Sequence, residues 1–160
     1  MTPQHDSFSL TREIAACRDH VWAAWADPTL KRAWFVDHDG PEWKTVHYNS
    51  DFRVGGWERG GWKMEATDHT PMAGEHSNET VYLEIEDRAR IIYAYTMAMN
   101  GKIHSASLAT VTFEDAGGGT RLTYTEQITQ LDGSDGLESR KNGWNWLMDM
   151  MDKVLKETAA

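Results

Sequence analysis

The chain has one cysteine, Cys17, in 160 residues. An intramolecular disulfide and a CxxC metal knuckle are therefore excluded, and a reducing cytoplasm is the compartment this usage suits. Basic residues are scarce: 16 Lys and Arg stand against 25 Asp and Glu, a formal charge of −9 and a pI near 5.2. That balance disfavours a general electrostatic grip on nucleic acid or anionic lipid. Long apolar runs are missing too. The longest, Ile91 to Met99, contains Thr96 and falls far short of the ~20 residues of a membrane span. Met1 to Asp6 is polar and lacks the basic-then-apolar pattern of a secretory leader. Aromatic residues, by contrast, are plentiful. With 8 Trp, 5 Tyr, 4 Phe and 40% apolar residues, the composition supports one globular domain over residues 1–160.

Periodicity sets out the elements. Phe8, Leu10 and Ile14 alternate with Ser9, Thr11 and Glu13, the period of a strand. Val21, Ala24 and Trp25 then recur at helical spacing up to Ala26. Asp27-Pro28 is a cap and first-position pair for a second short helix, in which Leu30 and Trp34 meet four residues apart. From Trp43 to Ile128, β-branched and aromatic residues alternate with polar ones between Gly, Asn and Asp breaks, which predicts strands near 43–49, 52–66, 75–86, 90–99, 102–114 and 119–129. The connections are short and hold no helix, so these strands should form an antiparallel meander that the first strand can join. Leu137, Trp144, Leu147, Met148, Met151 and Leu155 form one stripe of a helix over about 136–157, with Asp135 and Glu138 spaced as a capping box.

Several sequence words in this order resemble a known superfamily. They are Val21-Trp22-Ala23-Ala24-Trp25 with Asp27-Pro28 and Trp34, Phe52-Arg53-Val54-Gly55-Gly56-Trp57, Leu83-Glu84-Ile85-Glu86 with Arg90-Ile91-Ile92-Tyr93, Gly118-Gly119-Thr120-Arg121-Leu122, and Gly143-Trp144 followed by Leu147. Together they resemble the START-like (SRPBCC) superfamily, and most of all its branch of homologues of the heat-shock-protein ATPase activator. The resemblance implies an α+β helix-grip fold, in which a curved antiparallel sheet wraps the terminal helix and encloses a cavity for an apolar ligand. It also implies a stress-response setting, but it does not imply one reaction.

The residues give an independent reading of such a cavity. Around the Gly117-Gly118-Gly119 hairpin, Val111 and Phe113 share a face with Leu122 and Tyr124. The same phase places Ala109, Ser107 and Ser105 under the terminal helix, opposite Glu126 and Ile128. Small side chains there leave space. Trp62 and Met64, then Val81, Leu83 and Ile85, then Tyr93, Tyr95, Met97 and Met99 are assigned to that face as well. The expected ligand-binding set is thus Trp62, Met64, Leu83, Tyr93, Tyr95, Met97, Ser105, Ser107, Tyr124, Glu126, Trp144, Met148 and Met151. Met64, Met97, Met99, Met148 and Met151 suit a deformable pocket, although such a stripe also suits plain core. Glu126 is an anchor or a base if buried; one residue of phase error puts it outside, and the solvated reading is preferred here.

Other motifs carry less. The seven histidines, His69 and His76 among them, form no HExxH, so no metal and no cofactor are expected. Asp37-His38-Asp39 reads as a solvated loop, Ser139-Arg140-Lys141 as helix surface, and Asn78-Glu79-Thr80 as a sequon without meaning in a cytoplasmic protein. Three functions stay open: a non-enzymatic binder of a small hydrophobic molecule, aromatic or lipid-like; a chaperone-docking or other protein-interaction module; and a cyclase- or hydratase-type enzyme. The family's full co-chaperones carry a further amino-terminal domain, so docking is expected here rather than stimulation. The protein is expected to be a monomer or a homodimer, with Trp146 and Met150 beside the helix's main stripe.

Overall fold

A computed structural model describes residues 2–38, 40–66 and 73–159. The first alternating run forms β1 (Gln4–Ile14), followed by α1 (Arg18–Ala26) and α2 (Pro28–Phe35). The Asp27 carboxylate accepts the backbone N–H groups of Thr29 at 2.8 Å and Leu30 at 3.3 Å, which caps α2 as its sequence predicts. Trp34 donates its indole N–H to the Ala24 carbonyl at 2.7 Å and so ties the two short helices together.

Six more strands follow: β2 (Trp43–Ser50), β3 (Trp57–Met64), β4 (Gly74–Glu86), β5 (Arg90–Met99), β6 (Lys102–Ala116) and β7 (Gly119–Gln130). All neighbours pair antiparallel, in the order β1-β7-β6-β5-β4-β3-β2, and the curved sheet grips α3 (Leu137–Thr158). This is the helix-grip architecture. Gly117 and Gly118 both have positive φ, 58° and 87°, as the tight hairpin between β6 and β7 requires.

Three expectations change. The strand expected from residue 52 begins only at Trp57, because Asp51 to Gly56 fold into a turn clamped to Tyr82: Gly55 donates to the Tyr82 carbonyl and Tyr82 donates to that of Gly56. The capping box does not form; Gly136 precedes α3 without a side-chain cap, and Asp135 is engaged by Arg140 instead. In β4 the inward residues are His76, Asn78, Thr80 and Tyr82, while Val81 and Leu83 are each 48% exposed on the outer face. The phase assigned to Val81 and Leu83 was off by one, because this strand turns its polar residues inward to buried ionic partners. After a bulge between Tyr82 and Glu84, Ile85 packs against the core as expected.

A Cβ added at Gly56 would run into the Asp51 carbonyl oxygen, whereas one at Gly143 on α3 meets open space. Gly56→Ala should cost about 1–3 kcal/mol through a clash with fixed backbone. Gly143→Ala should add about 0.5–1 kcal/mol from helix propensity. Thermal melts of the two variants should move in opposite directions.

Candidate functional site

The concave face of the sheet can be read row by row from its register. Tyr82, Tyr93, Ala109, Glu126 and Phe8 lie opposite one another across five strands. The next row is Glu58, Thr80, Tyr95, Ser107 and Ile128, and the next Gly60, Asn78, Met97, Ser105 and Gln130. Glu126 is fully buried, so the solvated reading is corrected. Its strand alternates strictly, with residues 120, 122, 124, 126, 128 and 130 all buried.

Arg140 overturns a second reading. Taken from sequence as helix surface, it is 6% exposed and projects from the start of α3 into the sheet. It lies one helical turn before Trp144 on the stripe that continues through Met148, Met151 and Leu155, and that spacing was the signal for its burial. All five guanidinium N–H groups find acceptors. Nη1 donates to Glu126 Oε2 at 2.8 Å and Tyr95 Oη at 3.0 Å, and Nη2 to Ser105 Oγ at 2.7 Å and Asp135 Oδ1 at 2.9 Å. Nε donates to Asp135 Oδ2 at 3.0 Å. Glu126 is saturated in turn: Tyr95 and Tyr124 donate to Oε1 at 2.6 Å each, and Ser107 to Oε2 at 2.7 Å. The space under Ser105 and Ser107 is thus filled by the Arg140 guanidinium. Burial opposes the charge on Arg140, but Tyr95, Asp135 and Glu126 outweigh it and hold the group more firmly protonated than usual. Burial raises the phenols of Tyr93 and Tyr124 well above the ordinary range, with neighbouring tyrosines adding to the effect.

A second buried pair lies nearby. Lys31 on α2 reaches Glu58 at 2.9 Å, and its ammonium sits 4.5, 4.7 and 5.1 Å from the ring centres of Phe35, Trp25 and Trp34. Tyr48 donates to Glu58 at 2.7 Å, and Asn78 reaches it at 3.4 Å. Asn78, first residue of the sequon, is therefore an inner-face residue with 2% exposure. Sequence reasoning passed over Lys31 and Glu58. Yet Glu58 shares its phase with Trp62, and Lys31 stands three residues from Trp34.

The expected lining thus divides. Tyr95, Ser105, Ser107, Tyr124 and Glu126 join the Arg140 network, and Trp144 stacks on Tyr124 with ring centres 4.1 Å apart. Tyr93, Met148 and Met151 are packed core. Leu83 lies on the opposite face. Trp62, Met64 and Met97 are half-buried at one end of the concave face, where Trp62 stacks between Trp43 at 5.4 Å and His76 at 5.8 Å. Trp146, 41% exposed, stands 6.2 Å from Trp43. Two further sequence features fall partly outside the described residues, namely His69 and Asp39; Asp37 pairs with Arg32 at 2.8 Å. Among the described residues, no three His, Cys, Asp or Glu side chains gather to hold a metal ion, and no helix is long and apolar enough to cross a membrane.

Two predictions follow from this geometry. Arg140→Met strands the Glu126 carboxylate and should cost about 3–5 kcal/mol, whereas adding Glu126→Gln should restore much of the loss. Denaturant midpoints of the single and double variants decide this. The second concerns pH. Burial, with Arg140 and His76 nearby, lowers the pKa of His104 below 6.5 despite Asp135 at 3.8 Å. Between the lowered value and 6.5 the unfolded chain binds the proton more readily. This contribution to stability is therefore complete above about pH 6.5 and declines as pH falls. The raised tyrosines act at the other end: the unfolded chain ionises first, so stability declines as pH rises past about 10. A midpoint that stayed flat across both flanks would contradict these assignments.

The comparisons with known proteins agree with the fold. The profile described as Activator of Hsp90 ATPase homolog 1-like protein matches residues 15–156. A structure from Rhizobium leguminosarum is 35% identical, covers 98% of this chain and 97% of its own, and superposes with a TM-score of 0.85. One from Rhizobium loti is 33% identical over 96% of this chain and 99% of its own, with a TM-score of 0.82. A protein of the dynemicin biosynthetic locus, 18% identical, shares the fold over 94% of this chain and 47% of its own at a TM-score of 0.66. No curated protein matches. With a helix-grip sheet and a profile match over nearly its whole length, the chain belongs to the Activator of Hsp90 ATPase homolog 1-like family of the START-like (SRPBCC) superfamily.

Proposed function

We propose that this protein is a non-enzymatic, cytoplasmic binder of a small hydrophobic molecule, aromatic or lipid-like, held between the concave face and α3. One observation carries the reading: the concave face presents more apolar surface than α3 covers. Burial is complete at Tyr124, Val111 and Phe113 and becomes partial at Trp62, Met64, Met97 and Met99. Large rings and flexible thioethers left half-open on an inner face suit a ligand of loose shape specificity. The saturated Arg140–Glu126 network lies beside that end as a fixed polar wall. It does not supply a ready base, because every acceptor site of Glu126 already receives a hydrogen bond. The ligand therefore belongs toward Trp62, Met64 and Met97 rather than under Ser105 and Ser107.

A panel of aromatic and acyl compounds, titrated while following tryptophan fluorescence and thermal melting, tests this. A true ligand at one hundred times its Kd should add about 2.7 kcal/mol. For a chain of this size that is a rise in Tm of about 5–10 °C. Trp62→Ala should abolish the fluorescence response and the shift while leaving the unliganded fold intact. Silence of the whole panel in both readouts would overturn the proposal and leave protein docking as the reading to pursue.

A further inference from the structure

Strand β6 turns one more side chain inward than strict alternation allows. Met97 lies opposite Ser105 and Ala98 opposite Ile103, so His104 is the extra residue of a bulge. Ser105 already faces the concave side, where it accepts from Arg140, yet His104 beside it is buried as well, at 3% exposure. The bulge thus aims an imidazole onto the inner face, next to half-buried Met97 and Met99 at the partly covered end. Neither ring nitrogen has a hydrogen-bond partner among the described residues. Asp135 Oδ1, 3.8 Å from Nδ1, is beyond hydrogen-bond reach and receives Arg140 instead. Across β5, Asn78 shows the same lack. Its Nδ2 donates to Thr80 Oγ1 at 3.1 Å and Glu58 Oε1 at 3.4 Å, which leaves Oδ1 as the free end, and Oδ1 makes no hydrogen bond among the described residues. Asn78 and Ser105 are the cross-strand neighbours of Met97, so Asn78 and the His104 bulge flank one flexible thioether. Apart from the Trp25 indole on α1, these are the buried side-chain polar atoms of the described residues left without a partner. Buried polar groups are seldom left so.

We propose that the molecule bound at this end carries a neutral hydroxyl, as an alcohol or a phenol does, and donates it to Nε2 of His104. This rests on the reading that an apolar molecule binds there and narrows its class. The Asp135 carboxylate favours the ring proton on Nδ1, the nitrogen nearest to it, so Nε2 presents a lone pair. Asn78 Oδ1 is an acceptor too. Both groups therefore call for a donor, which a hydrocarbon, an ether, a ketone or a carboxylate does not offer. An ammonium donates, but it brings a charge into an end lined by Trp62, Met64 and Met97, where its desolvation is costly. A hydroxyl donates without a charge. Met97, unbranched and half-buried between the two acceptors, is the side chain that moves aside to admit it.

Isothermal titration calorimetry with naphthol, its methyl ether and naphthalene separates the hydroxyl from the apolar body. The wild type should bind naphthol about tenfold more tightly than either of the others. In His104→Phe that advantage should vanish while naphthalene binds as before. His104→Gln, whose amide oxygen reaches the place of Nε2, should keep it. Circular dichroism checks that each variant is folded; if His104→Phe is not, the wild-type comparison and His104→Gln decide. Equal affinity of the wild type for all three compounds overturns the hydroxyl assignment and leaves the apolar site standing, as does an advantage that His104→Phe preserves. Failure of naphthol to bind overturns the assignment whatever other compounds do, and silence of the whole aromatic and acyl panel overturns the underlying reading with it.

Discussion

Arg140 and Glu126 join the terminal helix to the sheet, and the packing around them follows from that join. A guanidinium at the start of α3 with five acceptors has one permitted position, which sets both the depth and the rotation of the helix. Trp144, one turn on, is then directed onto Tyr124, and Met148 and Met151 fall against the sheet. Desolvating the pair is costly, so its contribution lies in geometry more than in net stability. An apolar core of the same volume would hold the helix as well but would fix its register less tightly.

Lys31 and Glu58 play the corresponding part for the short helices. The ammonium is enclosed by Phe35, Trp25 and Trp34 and held by a carboxylate that also receives Tyr48. The two networks share a row of the concave face, which runs from Glu58 through Thr80 and Tyr95 to Ser107, and one is reached from α2 and the other from α3. Between them and the half-buried end at Trp62 and Met64, the concave face passes from saturated polar contacts to loosely covered apolar surface. That gradient distinguishes this interior from a uniformly packed one.

The relatives from Rhizobium species, identical at about a third of positions over nearly the whole chain, share the architecture. The superfamily's fold supports many chemistries. The surface that bears on function here is the partly covered end of the concave face at Trp62, Met64 and Met97.

Strand order, the capped second helix and the long terminal helix were all legible in the sequence, because each rests on local periodicity and turn chemistry. The inward set on β5, β6 and β7, Glu126 apart, was legible too, since those strands alternate from the hairpin at Gly117 and Gly118 as far as the register shift beside Met97 and Ser105. Legibility failed where a polar residue is buried by a partner distant in sequence. Arg140 and Glu126, Lys31 and Glu58, and the inward Asn78 and Thr80 of β4 look like surface by hydropathy. Only the tertiary structure, by bringing opposite charges and donors together out of water, could make the interior the favourable place for them.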